Sequence, residues 1–361
     1  MKTRQFTAII LVAAAIPLQL AAQGTFKGLG VPFTYLSSIS GDGKVVVGLL
    51  GAYGPAFRWT AETGVVDIGG NGTTTAVSRD GSVIVSAAPN AQGISDAAIW
   101  MSGKQWKILG DLGGPASGAN NNVSQAYSVC NNNGYTVVVG LSFVPSGKAH
   151  AFRWDNVSGM VDLGSLQGKS SRANGISADC GTIVGWDDNS YPHNFDPWRG
   201  AMWWQGIERL IHPFGWIGQA YAANVSGTAI VGRGLPTSDP NVFAHGYLWT
   251  AWGQLVDLGA LKRGLTQNQQ ALENVSYAFA LSDDASVVVG SSGWEPPTDA
   301  FIWTPATNIV KLSDYLIGKG ITGLDGWTLM VANSITPDGK MIGGVGISPS
   351  NQIEGWIATL P

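Results

Sequence analysis

Short apolar runs, many of them β-branched, recur along the chain in a fixed order with polar or glycine-rich punctuation between them. An alternating run of small and apolar residues, such as Ala278 to Ser282, ends at a turn of the type S-x-D-G, seen as SRDG at Ser78 to Gly81 and TPDG at Thr336 to Gly339. A β-branched run follows (Val45 to Val47, Val137 to Val139, Val287 to Val289), then one carrying A-F-x-W, then one carrying V-D-L-G. Asp-Gly between apolar runs is a strong hairpin signal, because glycine takes the positive φ that the turn demands. The order therefore predicts four short antiparallel strands per unit.

The unit repeats, and a fixed period decides the fold before any local assignment. Ser40, Ser78, Cys130, Ser177, Asn224, Ser282 and Thr336 mark equivalent places near the first turn, with a mean spacing of about 49 residues. Four strands at that period predict an all-β, seven-bladed β-propeller of four-stranded blades. Trp59, Trp100, Trp154, Trp204, Trp249 and Trp303 fill the A-F-x-W place in six units, and the seventh has Ala358 there with Trp356 two residues earlier. Such rings suit the wedge between blades; a sugar-stacking platform is the sharper reading, but the series sits inside strands. Small residues at Ser38, Ala76, Ser128, Gly175, Ala222, Ala280 and Ser334 mark the crowded innermost strands. The last unit lacks a V-D-L-G run, and FKGLG at Phe26 to Gly30 resembles it, so this N-terminal strand is expected to complete the last blade and close the ring.

The first 22 residues read differently. Lys2 and Arg4 precede an apolar stretch from Phe6 to Ala22, interrupted by Thr7, Pro17 and Gln19, with Ala21 and Ala22 as a small-residue cleavage site. This is the pattern of a secretory signal peptide over residues 1–22, leaving 23–361 as a single propeller domain. A spanning helix needs about 20 uninterrupted apolar residues, and no second stretch of that length follows, so the mature chain is expected to be secreted or periplasmic without a membrane span. Cys130 and Cys180 lie near the first turns of blades three and four, where they can bridge or stand as two isolated buried thiols.

Charge narrows the partners. Only 12% of residues are charged, with 20 Lys+Arg against 24 Asp+Glu and no basic cluster, so nucleic acid is excluded as a partner.

The units resemble the bacterial extracellular HAF repeat family. His150, Ala151 and Phe152 spell its tripeptide, followed by Arg153 and Trp154, and the S-x-D-G, V-V-V-G and D-L-G elements recur from about Phe26 to Leu360. Ala98 in the second unit and Met202 in the fourth depart from the Phe. The resemblance implies an exported bacterial repeat protein, and it carries no catalytic residues with it.

Strand order puts the S-x-D-G turns on one end of the ring and the variable loops on the other, where binding sites usually sit. The richest loops belong to blades four to six, with Trp186, Asp187, His193, Asp196, Trp198, Arg199, Arg233, Trp294 and Glu295 as ligand-binding candidates. Carboxylates beside exposed aromatics suit polysaccharide, and a surface protein is the other expected partner; the plainer reading is that these residues only pack and solvate their loops. A carbohydrate-active hydrolase or lyase is the alternative, with Asp187, Asp196, Glu295 and Asp299 as its carboxylates. No G-x-S-x-G elbow, H-E-x-x-H or zinc-spaced Cys pair occurs. Asp187, Asp188 and Asn189 offer oxygens to Ca²⁺ without the D-x-D-x-D-G pattern, and no other cofactor is expected. His150 reads as an ordinary strand-end residue, and the S-x-D-G aspartates as structural.

Overall fold

The computed structural model describes residues 24–101, 103, 105–116, 122–188, 198–211, 218–234, 244–251, 254–261, 274–294 and 296–361; residues 1–22, where a signal peptide is expected, lie outside them. Among the described residues the strands form seven four-stranded antiparallel sheets, as expected for a seven-bladed propeller. In blade three, for example, Ser124–Asn132, Tyr135–Phe143, Ala149–Asp155 and Gly159–Gly164 pair in chain order. The innermost strands of the other blades are Thr34–Ile39, Ala76–Val77, Ser171–Ile176, Gly218–Ala223, Ser276–Leu281 and Thr328–Ile335.

Blade seven is the exception in connectivity. Its outermost strand is Thr25–Pro32, paired to Ile353–Thr359 with Phe26 opposite Ala358 and Gly28 opposite Trp356. This N-terminal strand closes the ring as expected and covers an edge that would otherwise stay unpaired. Phe26 packs between Trp327, at 5.4 Å between ring centroids, and Trp356, at 6.1 Å. Trp327 arrives through an insertion between blades six and seven that includes the helix Leu312–Gly318, whose Leu312 and Leu316 are fully buried. The strand pattern alone did not anticipate this helix.

Two of the repeated motifs prove to be halves of one packing unit. A Cβ on Gly140 of the V-V-V-G run would fall 2.0 Å from the Gln125 carbonyl oxygen and 2.8 Å from a Phe152 ring carbon. The glycine is therefore the seat of the A-F-x-W phenylalanine, which lies opposite it in the sheet. Gly48 with Phe57 and Gly290 with Phe301 repeat the contact, and Trp356 takes the ring's place over Gly344. Each seated ring removes a large apolar area from water, the main stabilising contribution of such a site.

Blade four corrects the sequence assignment by one residue. Gly185 pairs with Ala201, so Ala201 and not Met202 holds the phenylalanine place, and Trp203 and not Trp204 holds the tryptophan place. Trp203 is 1% exposed, whereas Trp204 is 44% exposed. Adjacent strand residues face opposite ways, so of two neighbouring tryptophans only one can enter the core.

Hydroxyl groups join the blades. The Ser171 Oγ donates to the Gly164 carbonyl and accepts the Ala151 N–H of the preceding blade. Ser124 and Ser276 do the same for their neighbours, and Thr34 does so across the closing seam. Cys130 and Cys180 form a disulfide, with Cα atoms 5.6 Å apart, that ties blade three to blade four.

The S-x-D-G end is tied together by short hydrogen bonds and one ion pair. In each such turn the Ser or Thr hydroxyl donates to the Asp carboxylate and accepts a backbone N–H five residues on, as in Ser282 with Asp284 and Val287. These aspartates are structural, as expected. Neighbouring turns are linked by backbone bonds, Gly41 N–H to Arg79 O and Asp283 N–H to Pro337 O. Arg79 also reaches Asp283 at 2.6 Å. Blades two and six are not neighbours in a ring of seven, so this ion pair crosses the axial opening.

Candidate functional site

Six of the seven innermost strands are irregular at the same point; the short Ala76–Val77 strand of blade two pairs without a shift. In blade three the pairing shifts between Ala126 and Ser128, leaving Tyr127 as an extra residue; Ser37, Asn174, Tyr221 and Phe279 occupy the same place in other blades. Such a bulge re-aims the extra side chain. The alanines just before it, Ala126, Ala173, Ala220 and Ala278, are fully buried between blades, while the bulge residues stay partly exposed along the axis.

The bulge residues and those two positions earlier assemble an aromatic wall on blades three to six. Tyr277 stacks beside Phe279 at 5.9 Å, and Phe279 meets Tyr221 of blade five at 5.2 Å. The Arg233 guanidinium lies 5.0 Å above the Tyr277 ring. Toward blade three, Arg172 lies 5.0 Å from the centre of Tyr127 and 5.5 Å from that of Trp186, which stacks on Trp198 at 4.9 Å. Arg172 and Tyr277 begin their strands, so this wall opens at the variable-loop end, opposite the turns tied by Arg79 and Asp283. Its described side chains offer ring faces, amides and guanidinium groups.

The structure brings together only part of the expected set. Trp186, Trp198 and Arg233 join the wall, although Trp186 is mostly covered by its neighbours. Arg199 lies beside Trp198 on the same strand, half-buried and paired in register with Asp187. Trp294 is 49% exposed and makes no ring contact with the wall. His193, Asp196 and Glu295 lie outside the described residues.

Asp187 is 3% exposed and points away from Trp186, as successive strand residues must. Burial raises its carboxyl above the ordinary range, opposed by bonds from the Ser165 hydroxyl and the Leu166 N–H. Ser142 and Ser292 receive the equivalent linker N–H groups in blades three and six, so Asp187 does a linker-anchoring job. Beside it, burial and then the Asp187 charge push Glu208 up to about 8. Asp299 bonds Lys311 at 3.0 Å. Both described carboxylates of the hydrolase or lyase alternative are thus held in structural contacts. Among the described residues no group of three or more His, Cys, Asp or Glu side chains is placed to hold a metal ion.

Sequence reasoning missed Tyr127, Arg172, Tyr221, Tyr277 and Phe279. The available signal was the large residue interleaved with the small series in the first run, as in SYAFAL at Ser276 to Leu281. Small residues dominate that run, and the bulge that re-aims Tyr127, Tyr221 and Phe279 leaves no mark in a two-residue period.

No protein-family model matches the chain, and no curated protein is similar to it in sequence. Solved structures are similar in fold. The β-propeller domain of the Trilobed protease from Pyrococcus furiosus, described as having an open velcro topology, aligns with a TM-score of 0.56 at 13% identity over 90% of this chain and 93% of that one. Oligogalacturonate lyase from Vibrio parahaemolyticus aligns at 0.57 with 11% identity over 94% and 97%. The Cps50 (Swd1) propeller domain of Myceliophteria thermophila aligns at 0.55 with 12% identity over 93% and 100%. At these identities the likeness defines the class, a seven-bladed β-propeller, and nothing finer.

Proposed function

We propose that this protein is an exported binding propeller that takes a saccharide chain at the variable-loop mouth of its axial channel. The observation that carries the reading is the run of partly exposed rings from Tyr221 through Phe279 to Tyr277, set among amides and guanidinium groups. Rings in such a place hold the apolar faces of sugars, while amides and guanidinium groups bond their hydroxyls. Export is supported by the apolar segment from Phe6 to Ala22, by the disulfide and by the H-A-F resemblance.

The test is retention of the folded protein on an array of neutral and acidic polysaccharides. At least one should retain it, and Tyr277→Ala should weaken that retention about three- to tenfold, the worth of one aromatic contact, with unchanged circular dichroism. A folded protein that no saccharide retains would overturn the reading.

A further inference from the structure

Resting on the saccharide-binding reading above, we propose that the mouth selects acidic saccharides and that Arg172 is the residue that binds their carboxylate. Arg172 donates from Nε to Asn174 Oδ1 at 2.7 Å and from Nη2 to Gln219 Oε1 at 3.1 Å. Both partners are neutral amides, so they fix the guanidinium plane and leave its charge uncompensated. No carboxylate among the described residues touches it. Two other arginines are paired with carboxylates: Arg79 meets Asp283, and Arg153 meets the buried Asp155.

Position and chemistry agree. Arg172 is half-buried, with its guanidinium 5.0 Å from the Tyr127 ring and 5.5 Å from the Trp186 ring. A cation partly withdrawn from water without an anion is costly, and a bound anion offsets that cost. Two of its five N–H groups are used, and the remaining three suffice for a two-pronged bond to a carboxylate. The rings beside it favour an anion carried on a sugar over a free inorganic ion.

The experiment compares alginate, hyaluronan and polygalacturonate with the same polymers after reduction of each carboxylate to a primary alcohol, using the full wild-type protein. At least one native polymer should be retained tenfold or more tightly than its reduced form. Arg172→Gln should erase that difference, and Arg172→Lys, which keeps the charge but not the fork, should restore part of it. Because the wild-type comparison needs no variant, a folding defect at Arg172 does not blunt the test. Equal retention of native and reduced polymers overturns the acid selectivity and leaves the saccharide reading standing. Binding to neutral polysaccharides alone does the same. Failure of every saccharide overturns both readings, and Arg172-dependent binding of inorganic phosphate or of peptide C-termini in their place overturns the carboxylate assignment.

Discussion

His150 Nδ1 lies 2.9 Å from both carboxylate oxygens of Asp162, so the His of H-A-F and the Asp of V-D-L-G, twelve residues apart, are two ends of one contact joining third to fourth strand. Asp162 also accepts the Gly164 N–H, which holds that glycine at positive φ. Blade five repeats the pair as His245 with Asp257 at 3.0 Å. Blade six reverses it, with Asp299 in the histidine place and Lys311 in the aspartate place. His150 is thus more than the strand-end residue its sequence position suggested.

The reversal makes a prediction. His150→Asp alone sets two carboxylates face to face and should lower stability by about 1 kcal/mol, the scale of a partly exposed cross-strand charge pair. Combining it with Asp162→Lys should recover most of the loss, as blade six does naturally. Urea unfolding of the three variants would show it; a double variant no better than the single one would deny the pairing.

The Cys130–Cys180 bridge encloses a loop of 50 residues in sequence and clamps two blades. Reduction, or replacement of both cysteines by serine, should cost about 2–4 kcal/mol. Thermal unfolding with and without dithiothreitol measures this directly. An unchanged midpoint would mean that the bridge adds nothing to the ring.

Glu208 should make stability fall as pH rises. Its folded value of about 8 lies above the ordinary 4.5, so the unfolded chain loses its proton first. The loss begins near pH 4.5 and is complete above about pH 8. Glu208→Gln should match the parent protein near pH 4 and exceed it by about 2 kcal/mol at pH 9, after solvent screening of this half-buried group is allowed for. Parallel curves across that range would contradict the assignment.

Phe26 is the ring that fastens the N-terminal strand against Trp327 and Trp356. Phe26→Ala should cost about 2 kcal/mol, less than a fully buried Phe→Ala because the ring is only half-buried. Chemical denaturation gives the number. A loss within error would show that backbone pairing alone closes the seam.

The repeat pattern carried the architecture because every blade meets the same demands. Asp-Gly places the turns, V-V-V-G with A-F-x-W seats a ring on a glycine, and the missing V-D-L-G at one end matches FKGLG at the other. These are local requirements, written again in most units, and a period read along the chain recovers them. Where two residues satisfied one pattern, as Trp203 and Trp204 do, pairing in the folded sheet had to choose between them.

The candidate site follows other rules. Loop composition pointed to Trp186, Trp198 and Arg233, and it placed Asp187 among them although that carboxylate anchors a linker. Tyr127, Arg172, Tyr221, Tyr277 and Phe279 are separated by up to about 150 residues in sequence and by whole blades in space. A bulge in the innermost strands of blades three, five and six re-aims Tyr127, Tyr221 and Phe279 toward the axis, and Arg172 and Tyr277, two places before the bulges of their own strands, stand beside them. The amino-acid sequence by itself determined the number of blades, their strands and the closure of the ring, since those depend on contacts within one unit. Only the tertiary structure decided which side chains share the channel, because ring closure, and no property of any single strand, brings them within reach of one another.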